Sequence, residues 1–170
     1  AALTGRAKAQ EGVVSREQVR FLGITDAALE RMLRGGWWRH VARGIYQTGP
    51  TDPTWDGLAW AGVLIGGDRA RLGPEASGFL HNLLDEAPHP IDVLVPVGRS
   101  ARIGGQWRFS RERPGARSAR SVNDPPRLTV EDTVLDLSVA SEGDLVHLMT
   151  TAVQRRKTTP RRLLAVMNER

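Results

Sequence analysis

The chain has 170 residues, 40% apolar and 25% charged, the balance of a globular protein of one domain or two small ones. It has no cysteine, which excludes disulfide frameworks, thiol nucleophiles and thiolate zinc sites, and no run near the ~18 apolar residues of a membrane span. Lys and Arg number 24 against 19 Asp and Glu, a formal charge of +5, and the opening AALTGRAKAQ lacks the apolar core of a signal peptide, so a cytoplasmic location without membrane contact is expected.

Leu3–Glu11 reads as a short helix ended by Gly12. Ser15-Arg-Glu-Gln18 is a capping box that opens a helix to about Leu22, with Val19 and Leu22 on one face. Gly23 breaks it, and Thr25 caps a third helix, Asp26–Arg34, whose Ala28, Leu29, Met32 and Leu33 face inward at helical spacing. Two helices about a Leu22-Gly23-Ile24 corner make a helix-turn-helix pattern. Gly35-Gly36 ends the third helix, and Trp37–Val41 and Gly44–Gln47 are β-prone runs joined by Ala42-Arg43. A hairpin directly after the third helix is the wing of a winged helix.

Gly49-Pro-Thr-Asp-Pro53 is loop and marks a boundary, giving domains 1–49 and 53–170. The second region reads as mixed α/β. Its expected elements are helices over Trp55–Ile65 and Pro74–Leu84, a strand over Ile91–Val97, and a strand over Gln106–Ser110 after a Gly104-Gly105 hairpin turn. Arg111–Pro126 is irregular and too polar for core. Three helices close the chain: one beginning at Thr129 and running through Leu137, then Glu142–Gln154 and Pro160–Asn168. Trp55, Trp60 and Trp107 are assigned to the core.

The charge is unevenly spread. Residues 1–50 hold eight basic and four acidic residues, 51–98 two and seven, 99–127 eight and two, and 128–170 six of each. Two basic blocks around an acidic one suit a partner that is a polyanion. In a helix-turn-helix the second helix enters the major groove of duplex DNA, which makes Thr25, Ala27, Arg31 and Arg34 candidate base or phosphate contacts. Asp26 and Glu30 oppose them. Arg16 and Arg20 on the preceding helix and Arg39, His40 and Arg43 on the wing are candidate backbone contacts. Arg99, Arg102, Arg108 and Arg111 form a possible second anion or partner surface, while Arg113–Arg120 reads as a solvated loop.

Catalysis finds no signature. No phosphate-binding Gly-rich loop, zinc-protease or hydrolase motif occurs, so no catalytic, metal or cofactor residue is assigned. The pairs His81/Asp85 and His89/Asp92 read as helix-surface or loop residues.

The strings Glu11-Gly-Val-Val-Ser-Arg-Glu-Gln-Val19, Leu22-Gly-Ile-Thr25 and Gly35-Gly-Trp-Trp-Arg-His-Val-Ala-Arg-Gly-Ile-Tyr46 resemble the N-terminal winged helix of AbiEi-type antitoxins. Gly73–Leu84, Ile91–Pro96 and Leu128–Leu137 resemble the segments that follow. The resemblance implies a winged helix that binds inverted repeats in its own promoter and a second domain that neutralises a nucleotidyltransferase toxin. Arg31, Arg34, Arg39 and Arg43 then become DNA contacts by position. Many relatives carry a very-short-patch-repair-type endonuclease-like domain, which no Asp…Glu-x-Lys signature marks here. Two alternatives therefore stand beside the repressor: the DNA-targeting part of such a protein, and a protein-interaction module that does not bind DNA.

Overall fold

The computed structural model describes residues 2–98, 104–140 and 145–170. It begins with helix α1 (Ala2–Ala9), strand β1 (Val13–Ser15) and helices α2 (Arg16–Phe21) and α3 (Asp26–Arg34), then the hairpin β2 (Trp38–Ala42) and β3 (Ile45–Thr48). α1 stops short of Glu11 because Glu11 turns to φ 53° and the Gly12 N–H bonds back to the Ala7 carbonyl at 2.7 Å. β1 was not expected from the sequence. Its three residues become a strand only because β3 offers an edge, pairing Val13 with Gln47, Val14 with Tyr46 and Ser15 with Ile45.

The resulting sheet has order β1-β3-β2, all antiparallel. Successive side chains leave a strand on opposite faces, and both faces are used. Val14, Trp38 and Tyr46 join Ala7, Val19 and Leu29 in a core beneath the three helices. Val13 and Ile45 point the other way, into a larger core with the second region. The hairpin turn falls at Arg43-Gly44, one residue later than read, because a register shift between His40 and Ala42 brings Ala42 opposite Ile45.

Beyond the loop come α4 (Trp55–Gly66), β4 (Arg71–Leu72), α5 (Pro74–Leu80), β5 (Ile91–Val95), β6 (Trp107–Arg111), α6 (Val130–Ala140), α7 (Leu145–Gln154) and α8 (Pro160–Glu169). The architecture is mixed α/β, with eight helices and two small sheets among the described residues. α4 packs between the sheets. Gly62 lets the Trp107 ring approach, since a Cβ there would sit 2.6 Å from Trp107 Cδ1, and the Trp107 indole N–H donates to the Leu58 carbonyl at 2.7 Å. Trp107 is fully in the core, while Trp55 and Trp60 are half-buried against it.

Three expectations are corrected here. α5 ends at Leu80, not Leu84, because the N–H groups of Leu83 and Leu84 both return to the Gly78 carbonyl and Asn82 takes φ 56°. β5 ends at Val95, before Pro96, which has no N–H to extend the ladder, and Val97 is exposed. β6 runs parallel to β5, so Gly104-Gly105 is not the turn of a hairpin joining them. The short β4, antiparallel to β5, carried no sequence signal. The start of the helix expected from Glu142 lies outside the described residues. A third core under the last helices gathers Leu83, Val134, Leu137, Leu148, Ala152 and Leu163.

Candidate nucleic-acid interface

α3 is held by its ends. The Thr25 hydroxyl accepts from the Ala28 N–H at 3.2 Å, and Asp26 stands in the first turn, where the helix dipole favours a negative charge. At the other end the Gly36 N–H bonds the Leu33 carbonyl at 3.1 Å and the Trp37 N–H bonds the Met32 carbonyl at 3.0 Å. This is a Schellman motif, and Gly36 at φ 72° supplies its left-handed residue. The same motif closes α2: Gly23, at φ 83°, bonds the Arg20 carbonyl and Ile24 bonds the Val19 carbonyl. The helix-turn-helix corner is thus fixed by a glycine that any L-residue would strain.

With Leu29 buried and Met32 and Leu33 packed on the core, the opposite stripe of α3 is Ala27, Glu30, Arg31 and Arg34. All four are exposed, and neither Arg31 nor Arg34 has an ion-pair partner among the described residues. Thr25 is also exposed at the stripe's N-terminal end.

Arg16 and Arg20 behave differently from the expectation of free phosphate contacts. Both clasp Asp26. Arg20 binds it with Nε at 3.1 Å and Nη2 at 2.6 Å, and Arg16 with Nη2 at 3.1 Å. The hydrogen bond from Arg20 foremost, then that from Arg16 and the two positive charges, hold the Asp26 carboxyl down at about 2. Asp26 therefore does not oppose DNA as a bare charge, and the two arginines are not free to add to it. The clasp joins residues on two helices, and no local sequence signal showed it.

The wing divides its side chains between two faces. His40 lies on the face of Trp38 and Tyr46, with its ring 5.2 Å from that of Tyr46. Arg39 alternates onto the face directed at α4 and pairs with Asp52 at 2.8 Å. The structure thus places Arg39 apart from the α3 stripe. Arg43, at the turn, is exposed without an ion pair among the described residues. The turn sits against the start of α2, where the Arg16 N–H bonds the Gly44 carbonyl at 2.8 Å.

The second basic block is divided between paired and unpaired arginines. Arg99 and Arg102 lie outside the described residues. Arg108 pairs with Glu75 at 2.8 Å, and Arg111, exposed on β6, has no such partner among the described residues. Arg117, read as part of a solvated loop, instead binds Asp136 and lies 3.8 Å from Glu112. It belongs to an alternating series: Arg71 binds Glu112, Arg117 bridges Glu112 to Asp136, and Arg170 binds Asp136 at 2.8 Å and Asp132 at 2.6 Å. Arg71 is only 4% exposed and Asp132 is fully buried. These charges fasten residues 112–117 and α8 onto β4 and α6.

His81 and Asp92 are also corrected. His81 is buried, with Nε2 2.8 Å from the Leu128 carbonyl. A carbonyl only accepts, so the ring holds its proton on Nε2. Burial foremost lowers its pKa. Asp92, on β5, caps α5 from outside by accepting from the Glu75 and Ala76 N–H groups, and burial raises its carboxyl. Gly73 at the cap is required by space, since a Cβ there would meet Asp92 Oδ2 at 2.3 Å. No three His, Asp or Glu side chains gather as a metal site among the described residues, and no described helix is long and apolar enough to cross a membrane.

Residues 6–49 match the sequence model of the family described as transcriptional regulator, AbiEi antitoxin. The match covers the winged helix, from within α1 to the end of the wing. No curated protein matches the chain.

Proposed function

We propose that this chain is a DNA-binding, autoregulatory repressor of the antitoxin type. Residues 1–49 are its duplex-binding unit, and 53–170 form the region that engages a nucleotidyltransferase toxin. The observation that carries the DNA-binding reading is the outward stripe of α3. Arg31 and Arg34 stand exposed there without an ion pair among the described residues, on a helix fixed at both ends, while the neighbouring Arg16, Arg20 and Arg39 are each held by a carboxylate.

Laid in a major groove, α3 presents Thr25 and Ala27 first, then Arg31 and Arg34. A guanidinium is bidentate to guanine O6 and N7, or grips a phosphate. Arg43 at the wing turn adds a phosphate contact, which fixes orientation without reading sequence. Glu30, within the stripe, rejects a misplaced phosphate and favours an exposed cytosine amino group. Repression then needs only occupancy of promoter DNA, with no catalytic step and no cofactor.

Footprinting on the DNA immediately upstream of the gene tests this reading. Protection of inverted repeats, lost in Arg31→Ala/Arg34→Ala, is the expected result. Uniform weak binding to any duplex, unchanged by that double substitution, contradicts it.

A further inference from the structure

A cleft of about 790 Å³ lies between the end of α5, the 120–131 segment, the end of α7 and the start of α8. Arg120, Arg127, Arg156, Lys157 and Arg162 line it, against a single carboxylate, Glu131. None of the five cations is in an ion pair among the described residues, and Glu131 accepts from the Thr158 hydroxyl. The same half of the molecule pairs Arg71, Arg108, Arg117, Arg155 and Arg170 with carboxylates. The five cations are thus gathered without carboxylate partners among the described residues in one concavity, where like charges repel one another.

Two further observations point the same way. Arg127 Nε is buried with no hydrogen-bond partner among the described residues, and burial pulls its guanidinium below the ordinary arginine value. Arg156 closes α7 in a Schellman motif, its N–H on the Val153 carbonyl and that of Lys157 on the Ala152 carbonyl. It does so at φ 55°, where glycine is the unstrained residue. Arg156 thus lines the cleft from a helix-closing position that glycine would occupy without strain. Leu80, Val130 and Val166, from α5, α6 and α8, add apolar lining to the cleft.

We infer that this cleft binds a small organic polyphosphate of the nucleoside di- or triphosphate class, its phosphates on the guanidinium cluster and its organic body on the apolar lining. The concavity suits a small ligand of this kind, since pockets of a few hundred to about 1,000 Å³ enclose one. A continuous duplex meets instead an exposed ridge such as α3. Arg156 and Arg162 approach from two different elements, and Arg127 lines the cleft with its Nε buried. The inference is independent of the DNA-binding reading, because the two surfaces share no residue.

Titration calorimetry of the full chain with ATP free of divalent cations, pyrophosphate and adenosine tests it. One ATP should bind per chain, pyrophosphate more weakly, and adenosine not at all. Arg156→Gly and Arg162→Ala should each weaken ATP about tenfold, the size of one lost charge-assisted contact. Arg156→Gly fits the backbone better than arginine, so its melting temperature should hold or rise. Arg31→Ala/Arg34→Ala should leave ATP binding unchanged. No saturable ATP binding, or affinity indifferent to both cleft substitutions, overturns the site. Pyrophosphate binding as tightly as ATP overturns the organic body, and cleft substitutions that weaken duplex binding without any ATP binding reassign the cleft to nucleic acid.

Discussion

Both the winged helix and the 104–127 segment hold arginines left in solvent and arginines held by carboxylates, and what separates the two is where the fold brings an acid. On α3 and the wing turn, Arg31, Arg34 and Arg43 reach solvent with no carboxylate paired to them among the described residues. In the second region, Arg108 and Arg117 come from a denser basic block, yet both meet acids brought from elsewhere in the chain, Glu75 and Asp136. A basic run in a sequence is thus a polyanion surface only where the fold leaves it without partners. The winged helix shows both outcomes within a few residues, since Asp26 engages Arg16 and Arg20 but leaves Arg31 and Arg34 free.

The sharpest way to break this contrast is to remove a partner from the paired side. Glu112→Ala strands Arg71, which is 4% exposed, and keeps only its bond to the Arg120 carbonyl. Removing one member of a buried pair costs about 3–5 kcal/mol, so urea unfolding should show a loss of that size. A loss under about 1 kcal/mol would mean that the alternating charges do not fasten this segment.

On the unpaired side, Arg31→Ala/Arg34→Ala should leave the unfolding midpoint in place and weaken operator binding about hundredfold at fixed salt, from two groups at roughly 1–3 kcal/mol each. Equal affinity in a gel-shift titration would place the DNA contact elsewhere.

Converting paired arginines to unpaired ones is the complementary test. Asp26→Asn should release Arg16 and Arg20 toward phosphate and tighten duplex binding about tenfold, with a steeper salt dependence. Acid should reproduce this only at an extreme. The folded carboxyl, at about 2, lies below its unfolded value of 3.8, so the clasp is complete above the ordinary carboxylate range and is lost only as pH falls through about 2. Duplex affinity should therefore show no Asp26 titration between about pH 5 and 8. The smallest effect is expected at Arg39, which faces α4 and Asp52. Arg39→Ala should change duplex affinity within about twofold, the range of an exposed pair.

Much of the winged helix was legible because its signals are local. Thr25 before Asp26 and Gly35-Gly36 after Arg34 define α3 at its observed bounds, and Ser15 with Gln18 forms the anticipated capping box. Signals that depend on distant partners were not legible. β1 and β4 are too short to show a period and exist through β3 and β5. Alternation at Trp107 and Phe109 revealed a strand but not its direction, which Ile91 and its neighbours set by pairing in parallel. For the candidate site, the α3 stripe followed from helical spacing. The fate of each basic side chain did not, because Asp26, Asp52 and Asp136 reach their arginines only in the folded chain.

The account rests on which of these exposed groups a duplex touches, and nuclear magnetic resonance of the full chain titrated with its upstream DNA reads that residue by residue. Shifts concentrated at Ala27, Glu30, Arg31, Arg34 and Arg43, with Arg108 and Arg111 unmoved, are the predicted result. Shifts at Arg108 and Arg111 with the α3 stripe silent would contradict it.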